Sequence, residues 1–196
     1  MDFRRAIFFL VTSGCSPDVI YHSIQVSKMT EYLACKIKKN GHVIDIELTT
    51  VGGLLHDVGR ARTHGIDHGV EGGKLLREIG EISLAEIAER HIGGGIVWEE
   101  ARELNLPVDD YLPITLEQKV VCYADKLFQY QFDRDHRIKS FNVEKDASRE
   151  IMKLREKLGD NHGSHIRLLK LEEELTRLAG ELPGAGFETR TDIFKS

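Results

Sequence analysis

Apolar residues recur at helical spacing along almost the whole chain, and no alternating run bounded by hairpin turns stands out as a strand. A chain patterned this way is expected to be all-α. Ser16 and Pro17 read as an N-cap and first helical residue, followed by the stripe Val26, Met29, Leu33 and Ile37, to which His22 belongs. A second helix is predicted over residues 46–56, with Leu48, Val51 and Leu55 on one face and Gly59 just beyond its end. That places His56 and Asp57 at a helix C-terminus.

A polar segment, 60–67, leads to a third helix carrying Leu75, Leu76 and Ile79, with His68 at its entrance. Ser83 with Glu86 has the spacing of a capping box, and Leu84, Ile87, Ala88 and His91 then share a face before Gly93, Gly94 and Gly95 break the helix. Residues 96–113 read as irregular, with room for one short helix. Thr115 and Gln118 repeat the capping-box spacing and open a long helix in which Val121, Asp125 and Phe128 are expected on one inward face. Two packing helices follow, marked by Ala147, Ile151, Leu154 and Leu158, then by Leu168, Leu171, Leu175 and Leu178.

The expected organisation is a single domain over 1–180, with the chemistry in 16–132, packing helices in 143–180 and a flexible tail over 181–196, where Pro183, Gly184 and Gly186 interrupt any period. With 196 residues, the chain can bury a substantial core without disulfides. Cys15, Cys35 and Cys122 are odd in number and widely spaced, which suits core thiols in a reducing cytosol. The apolar run 6–11 is too short for a signal segment, and nothing later is long enough for a membrane span, so a cytoplasmic protein is expected. A net charge of -5 gives no overall attraction to a phosphate backbone, which argues against nucleic acid as the main partner and leaves small phosphorylated molecules open.

His22, His56, Asp57 and Asp125 are thus expected to point into a helical bundle, where helices commonly build metal sites. Neutral imidazoles and carboxylates suit borderline divalent ions better than calcium, which prefers an all-oxygen cage. Taken singly, His22 and His91 on apolar stripes would more often be hydrogen-bonded core histidines than ligands. A buried Asp125 is harder to explain away, because an unpaired carboxylate costs several kcal/mol and must find a cation or donors. A salt bridge to an arginine is the bland alternative.

The order His22, then His56-Asp57, then Asp125, together with the phrase Leu54-Leu55-His56-Asp57-Val58-Gly59-Arg60, resembles the signature of the HD-domain metal-dependent phosphohydrolases. The resemblance covers roughly residues 16–132 and implies an all-α helical bundle with a metal site in its interior. His68 in His68-Gly69-Val70-Glu71-Gly72, and His91 after Ala88-Glu89-Arg90, resemble the additional ligands of binuclear members. The resemblance therefore implies two divalent ions per chain, manganese or iron foremost, with nickel, cobalt, zinc or magnesium as alternatives. Asp57 would bridge them and position the attacking water, while His22, His56 and Asp125 complete the first site. Two ions about 3.5–4 Å apart can generate a nucleophile and clamp the attacked phosphoryl group. No serine or cysteine nucleophile is then required.

Arg60, Arg62 and His64, after the HD turn, and Lys126, after the last ligand, are the candidates for substrate phosphate contacts, with His64 reading more readily as a loop residue than as a ligand. Many relatives of this type carry lysine where this chain has Arg60. The function expected from the resemblance is hydrolysis of a phosphate ester or anhydride of a nucleotide or a similar small phosphorylated metabolite. Two alternatives stand beside it: a non-catalytic nucleotide-binding regulatory module, and an RNA-processing phosphodiesterase. Pairing of two chains through the terminal helix into a homodimer stays open.

Overall fold

The computed structural model describes residues 1–132, 138–158 and 163–180. The expected tail over 181–196, with His136 and His162, lies outside the described residues. Helix α1 (Phe3–Ser13) is capped by Asp2, whose carboxylate accepts from the Arg5 N–H. Helix α2 (Pro17–Lys39) starts as the sequence suggests, with the Ser16 hydroxyl accepting from the Val19 N–H at 3.3 Å and proline in the first turn. Lys36, Lys38 and Lys39 sit in its last turn, where they oppose the negative end of the helix dipole. Among the described residues, no helix is long and apolar enough to cross a membrane.

Helix α3 (Ile46–Leu55) lies in the interior and is capped by Asp45, whose carboxylate accepts from the Leu48 N–H. It runs against α2, where Ser27 Oγ donates to the Thr50 carbonyl at 2.7 Å. Gly53 makes the approach possible: a Cβ there would lie 2.5 Å from Thr30 Oγ1 and 3.1 Å from the Ser27 Cα. This close contact aims the C-terminus of α3, and with it His56 and Asp57, at the N-terminal part of α2, where His22 sits.

A 3-10 turn (Val58–Ala61) joins α3 to α4 (His68–Glu78), which packs on α5 (Ile82–Glu89). The Ser83 capping box does not form. Gly80, at a φ of 81°, ends α4 so abruptly that α5 already begins at Ile82, leaving Ser83 inside the helix and exposed. Glu86 instead accepts from the Gln118 side chain at 3.3 Å. Residues 96–113 contain one short helix, α6 (Trp98–Glu103). Helix α7 (Leu116–Ala124) opens with the expected Thr115–Gln118 capping box.

The long helix expected through Asp125 and Phe128 stops at Ala124. A 3-10 turn (Asp125–Leu127) follows, and the chain then turns into a strand, β1 (Phe128–Phe132), paired antiparallel with β2 (Ile138–Val143). The register sets Phe128 opposite Val143 and Tyr130 opposite Phe141, with an irregularity at Gln131/Phe132. Phe-Gln-Tyr-Gln-Phe is itself a period-two run of aromatic and polar residues, which favours a strand over a helical stripe. Among the described residues the fold is otherwise helical, as expected, and α8 (Ser148–Leu158) and α9 (Gly163–Ala179) are its last elements.

Two buried clusters flank the centre. One joins α2, α7 and α9 through Met29, Leu33, Tyr123, Leu127, Leu168 and Leu175. The other joins α1, α3, α4 and α5 through Leu10, Val51, Leu54, Leu76 and Ala88. Because α2 and α7 belong to the first cluster and α3, α4 and α5 to the second, the side chains His22, Asp125, His56, His68 and His91 converge from both.

Candidate metal centre and its cleft

Six side chains expected at the site do converge: His22 from α2, His56 and Asp57 at the end of α3, His68 at the start of α4, His91 just after α5, and Asp125 just after α7. Gly59 makes the middle of this arrangement possible. Any Cβ on it would collide with the His68 carbonyl oxygen and the Gly72 nitrogen, so only glycine lets the turn after Asp57 touch the first turn of α4. His68 is thereby held against Asp57.

The histidines are oriented from behind. The Nδ1 atoms of His56, His68 and His91 each lie 2.7 Å from a backbone carbonyl three residues earlier, those of Gly53, Gly65 and Ala88. A carbonyl only accepts, so in each ring Nδ1 carries the proton and the neutral Nε2 presents a lone pair to the centre. His22 is held differently, by the Tyr130 hydroxyl at 2.7 Å from its Nδ1.

The Nε2 atoms then meet in pairs: His22 with His56 at 3.1 Å, and His68 with His91 at 3.1 Å. Two neutral rings whose protons are both committed elsewhere cannot hydrogen-bond to each other. With both rings neutral, His68 and His91 would face one another lone pair to lone pair, an arrangement that suits a cation between them.

The carboxylates complete two sets. Asp125 Oδ1 lies 2.9 Å from His22 Nε2 and 3.5 Å from His56 Nε2. Asp57 divides its oxygens: Oδ2 lies 3.7 Å from His22 and 3.8 Å from His56, while Oδ1 lies 3.1 Å from His68 and 3.5 Å from His91. Asp57 Oδ1 is buried without a hydrogen-bond donor. An orphaned carboxylate oxygen among imidazole lone pairs fits a divalent ion, and the mixed nitrogen and oxygen donors suit a borderline metal. His22, His56 and Asp125 could hold one ion and His68 and His91 a second, with Asp57 facing both.

Charge in the centre follows the same logic. Burial alone would raise the carboxyls of Asp57 and Asp125, yet both are held well below the usual carboxylate range. The positive charge of His56 foremost outweighs burial at Asp57, while Lys126 foremost does so at Asp125. Burial pushes the His91 imidazole down to about 3, so it stays neutral and available as a ligand. At His56 burial opposes protonation, but Asp57 and Asp125 prevail and raise its proton affinity.

A cleft of about 570 Å³ opens onto this centre from the α2 side, lined by His22, Asp57, Arg60, Asp125 and Lys126. Arg60 Nε donates to Asp57 Oδ2 at 2.7 Å, and Lys126 Nζ donates to Asp125 Oδ2 at 2.5 Å. Burial lowers the Lys126 ammonium's proton affinity, but Asp125 reverses this and raises it, so the cation persists beside the ligands. Arg62 does not join them. It pairs with Glu71 at 3.6 Å and Glu78 at 3.5 Å, because the 3-10 turn at Val58–Ala61 advances about 120° per residue and so carries Arg62 round from the direction of Arg60. His64 does line the cleft.

Tyr130 and Phe128 also line the cleft; the sequence places Phe128 inward with Asp125, whereas Tyr130 and the ribbon that carries both emerge only in the structure. The His22 ring meets Phe128 and Tyr130 edge-on, with centroids 6.3 and 5.3 Å away. The signal was the aromatic alternation directly after Asp125.

The HD domain family model matches residues 19–129, which include all six converging side chains. An uncharacterised protein of Methanocaldococcus jannaschii is 47% identical over 179 residues, covering 91% of this chain and 99% of its own length. A tRNA (cytidine(56)-2'-O)-methyltransferase of Picrophilus torridus is 37% identical over 180 residues, and the alignment covers 91% of this chain but 48% of that protein. The corresponding enzyme of Thermoplasma volcanium is 40% identical over 128 residues, 65% of this chain and 36% of its own length. The chain thus spans about half or less of these two methyltransferases. No solved structure gives a significant match.

Proposed function

The chain belongs to the HD-domain family, and from that premise we propose that it is a metal-dependent phosphohydrolase acting on a phosphate ester or anhydride of a nucleotide or similar small metabolite. One observation carries this reading: the Asp57 carboxylate sits between two sets of imidazole nitrogens, with Oδ1 lacking any donor. Ions bound there would acidify a water and neutralise charge on the phosphoryl group. Manganese or iron, two per chain, is the loading we propose.

The protein's own groups supply the rest. Hydrogen bonds behind the four rings fix which nitrogen faces the centre, so the ligand field is in place before substrate arrives. Arg60 offers a guanidinium fork to phosphate oxygens, and Lys126 adds a compact positive charge to the same lining. Arg62, paired with Glu71 and Glu78, is left out of the phosphate site. Cys122 has no nucleophilic part, since burial pushes its thiol up to about 11.

The test is elemental mass spectrometry of anaerobically purified protein, followed by a substrate screen with the metal found. Near two transition-metal ions per chain, with turnover of a phosphorylated substrate, supports the proposal. Lasting absence of metal after reconstitution rejects it in favour of a nucleotide-binding regulatory module. A second reading, RNA phosphodiester cleavage, is favoured by relatives named for tRNA methylation and by a 66-residue likeness, at 36% identity, to a Fusobacterium nucleatum protein named Ribonuclease Y. The excess of acidic residues counts against it.

A further inference from the structure

The ligand cluster is reached by a second cleft as well. This one measures about 470 Å³ and approaches from the side of His68 and His91. Its outer wall is aliphatic, formed by Ile66, Ile92, Ile96, Leu104 and Leu154. The first cleft has an aromatic wall instead, with Phe128 and Tyr130 side by side at an interplanar angle of 19°. Among the described residues, Arg60, Asp125, Lys126 and Glu150 line both clefts.

These shared residues mark a junction. It holds both candidate phosphate-binding cations beside the ligand Asp125. Glu150, the one further acid there, pairs with Lys153 at 3.3 Å, which offsets its repulsion of a phosphate. A site for phosphate monoesters needs one open arm and one closed end, because a wall beyond the phosphate is what rejects a second substituent. Among the described residues the junction is open on both sides, and each side has the size of an ordinary small-molecule pocket, about 300–1,000 Å³.

Resting on the phosphohydrolase reading, we infer that the substrate is a phosphodiester with a sizeable organic group on each side of the phosphorus. The phosphate sits at the junction by Arg60 and Lys126, a planar base lies against the part-exposed Tyr130, which the buried Phe128 backs, and the other arm lies along the aliphatic wall. Flat aromatic surfaces accept any base by stacking, which makes the first cleft tolerant of base identity. Hydrolysis forms one bond from water oxygen to phosphorus and breaks one phosphorus–oxygen bond. The departing oxygen takes a proton from that water, and the products are one monoester and one alcohol, with no change in oxidation state.

The experiment compares paired probes with metal-loaded protein: adenylyl-(3′→5′)-adenosine against AMP, and bis(4-nitrophenyl) phosphate against 4-nitrophenyl phosphate. The diester of each pair is expected to have a kcat/KM at least about tenfold above its monoester, within what one occupied subsite contributes. Ile66→Trp and Leu154→Trp, which narrow the second cleft, are expected to lower the adenylyl-adenosine to AMP ratio about tenfold or more. Ile66 is 38% exposed, so its replacement leaves the core alone.

Methyl NMR of the magnesium-loaded protein gives a readout independent of turnover. Adenylyl-adenosine should shift both Ile138, in the first cleft, and Ile96 and Leu104, in the second, whereas AMP should shift one set. Monoester turnover without diester turnover, or a diester that shifts one set alone, overturns this inference and leaves the phosphohydrolase standing. Failure to hydrolyse any of the four probes overturns both.

Discussion

The Tyr130 hydroxyl lies 2.7 Å from Nδ1 of His22, across 108 residues of sequence. The three other histidines of the centre are oriented by carbonyls three residues away in their own segments, so His22 alone depends on a distant element. Tyr130→Phe removes this partner and leaves the aromatic ring. Weakening of metal binding by about 10–100-fold is expected at the His22 site, as for other groups that orient a ligand. Chelator competition measures it, and an unchanged affinity would show that packing against Phe128 orients the ring unaided.

Asp57 is the residue whose loss should be felt on both sides of the centre. In Asp57→Ala, metal content is expected to fall to near zero per chain, with the helical circular dichroism signal retained. Elemental analysis decides the matter: a variant that still retains two ions rejects the shared role of this carboxylate. His68→Ala with His91→Ala should instead remove one ion and leave the His22, His56 and Asp125 set loaded.

Gly59→Ala tests the contact between the turn and α4. The added methyl group would clash with the His68 carbonyl and force the two segments apart. A loss of about 1–3 kcal/mol is expected from such overpacking. A lowered thermal midpoint should come with weaker metal retention, since His68 moves away from Asp57. A midpoint identical to that of the parent would mean that the backbone yields there at no cost.

The thiols provide a pH test. Burial, reinforced by Asp57, pushes Cys15 up to about 11, and burial likewise takes Cys122 up to about 11, whereas Cys35 is exposed. A raised thiol pKa leaves the neutral form dominant, so iodoacetamide at neutral pH should label Cys35 alone in the folded protein. The other two should react only as the pH approaches their raised values or on unfolding. Rapid modification of Cys122 at pH 7, tracked by peptide mass spectrometry, would contradict its burial.

Most of the centre was legible because its residues lie on regular helices. His22 rides the Val26–Ile37 stripe, and His56 and Asp57 end a helix whose cap and apolar face are both explicit. His91 follows from the period of Leu84, Ile87 and Ala88. Asp125 was expected inward on a continuous helix and is inward on a 3-10 turn, since one more residue in αR conformation preserves its direction after the helix ends. The β-ribbon was not anticipated. Its two strands are short, and the 128–132 run continues the spacing of Val121 and Asp125 as far as Phe128, so a helical period and a strand period overlap at that residue. Arg62 was misjudged for a different reason: a 3-10 turn advances about 120° per residue, which sends Arg60 into the cleft and Arg62 towards Glu71 and Glu78.

Asp57 gives one oxygen to each half of the centre, and both oxygens hang from a single pair of side-chain torsions. The halves therefore share one degree of freedom. On the proposed two-ion loading, whatever freezes the carboxylate for the first ion has already met part of the entropic cost of the second, so uptake should be cooperative and a half-filled protein a minority species. A cell short of metal would then hold a mixture of fully loaded and empty molecules, an all-or-none response encoded in the rotation of one aspartate.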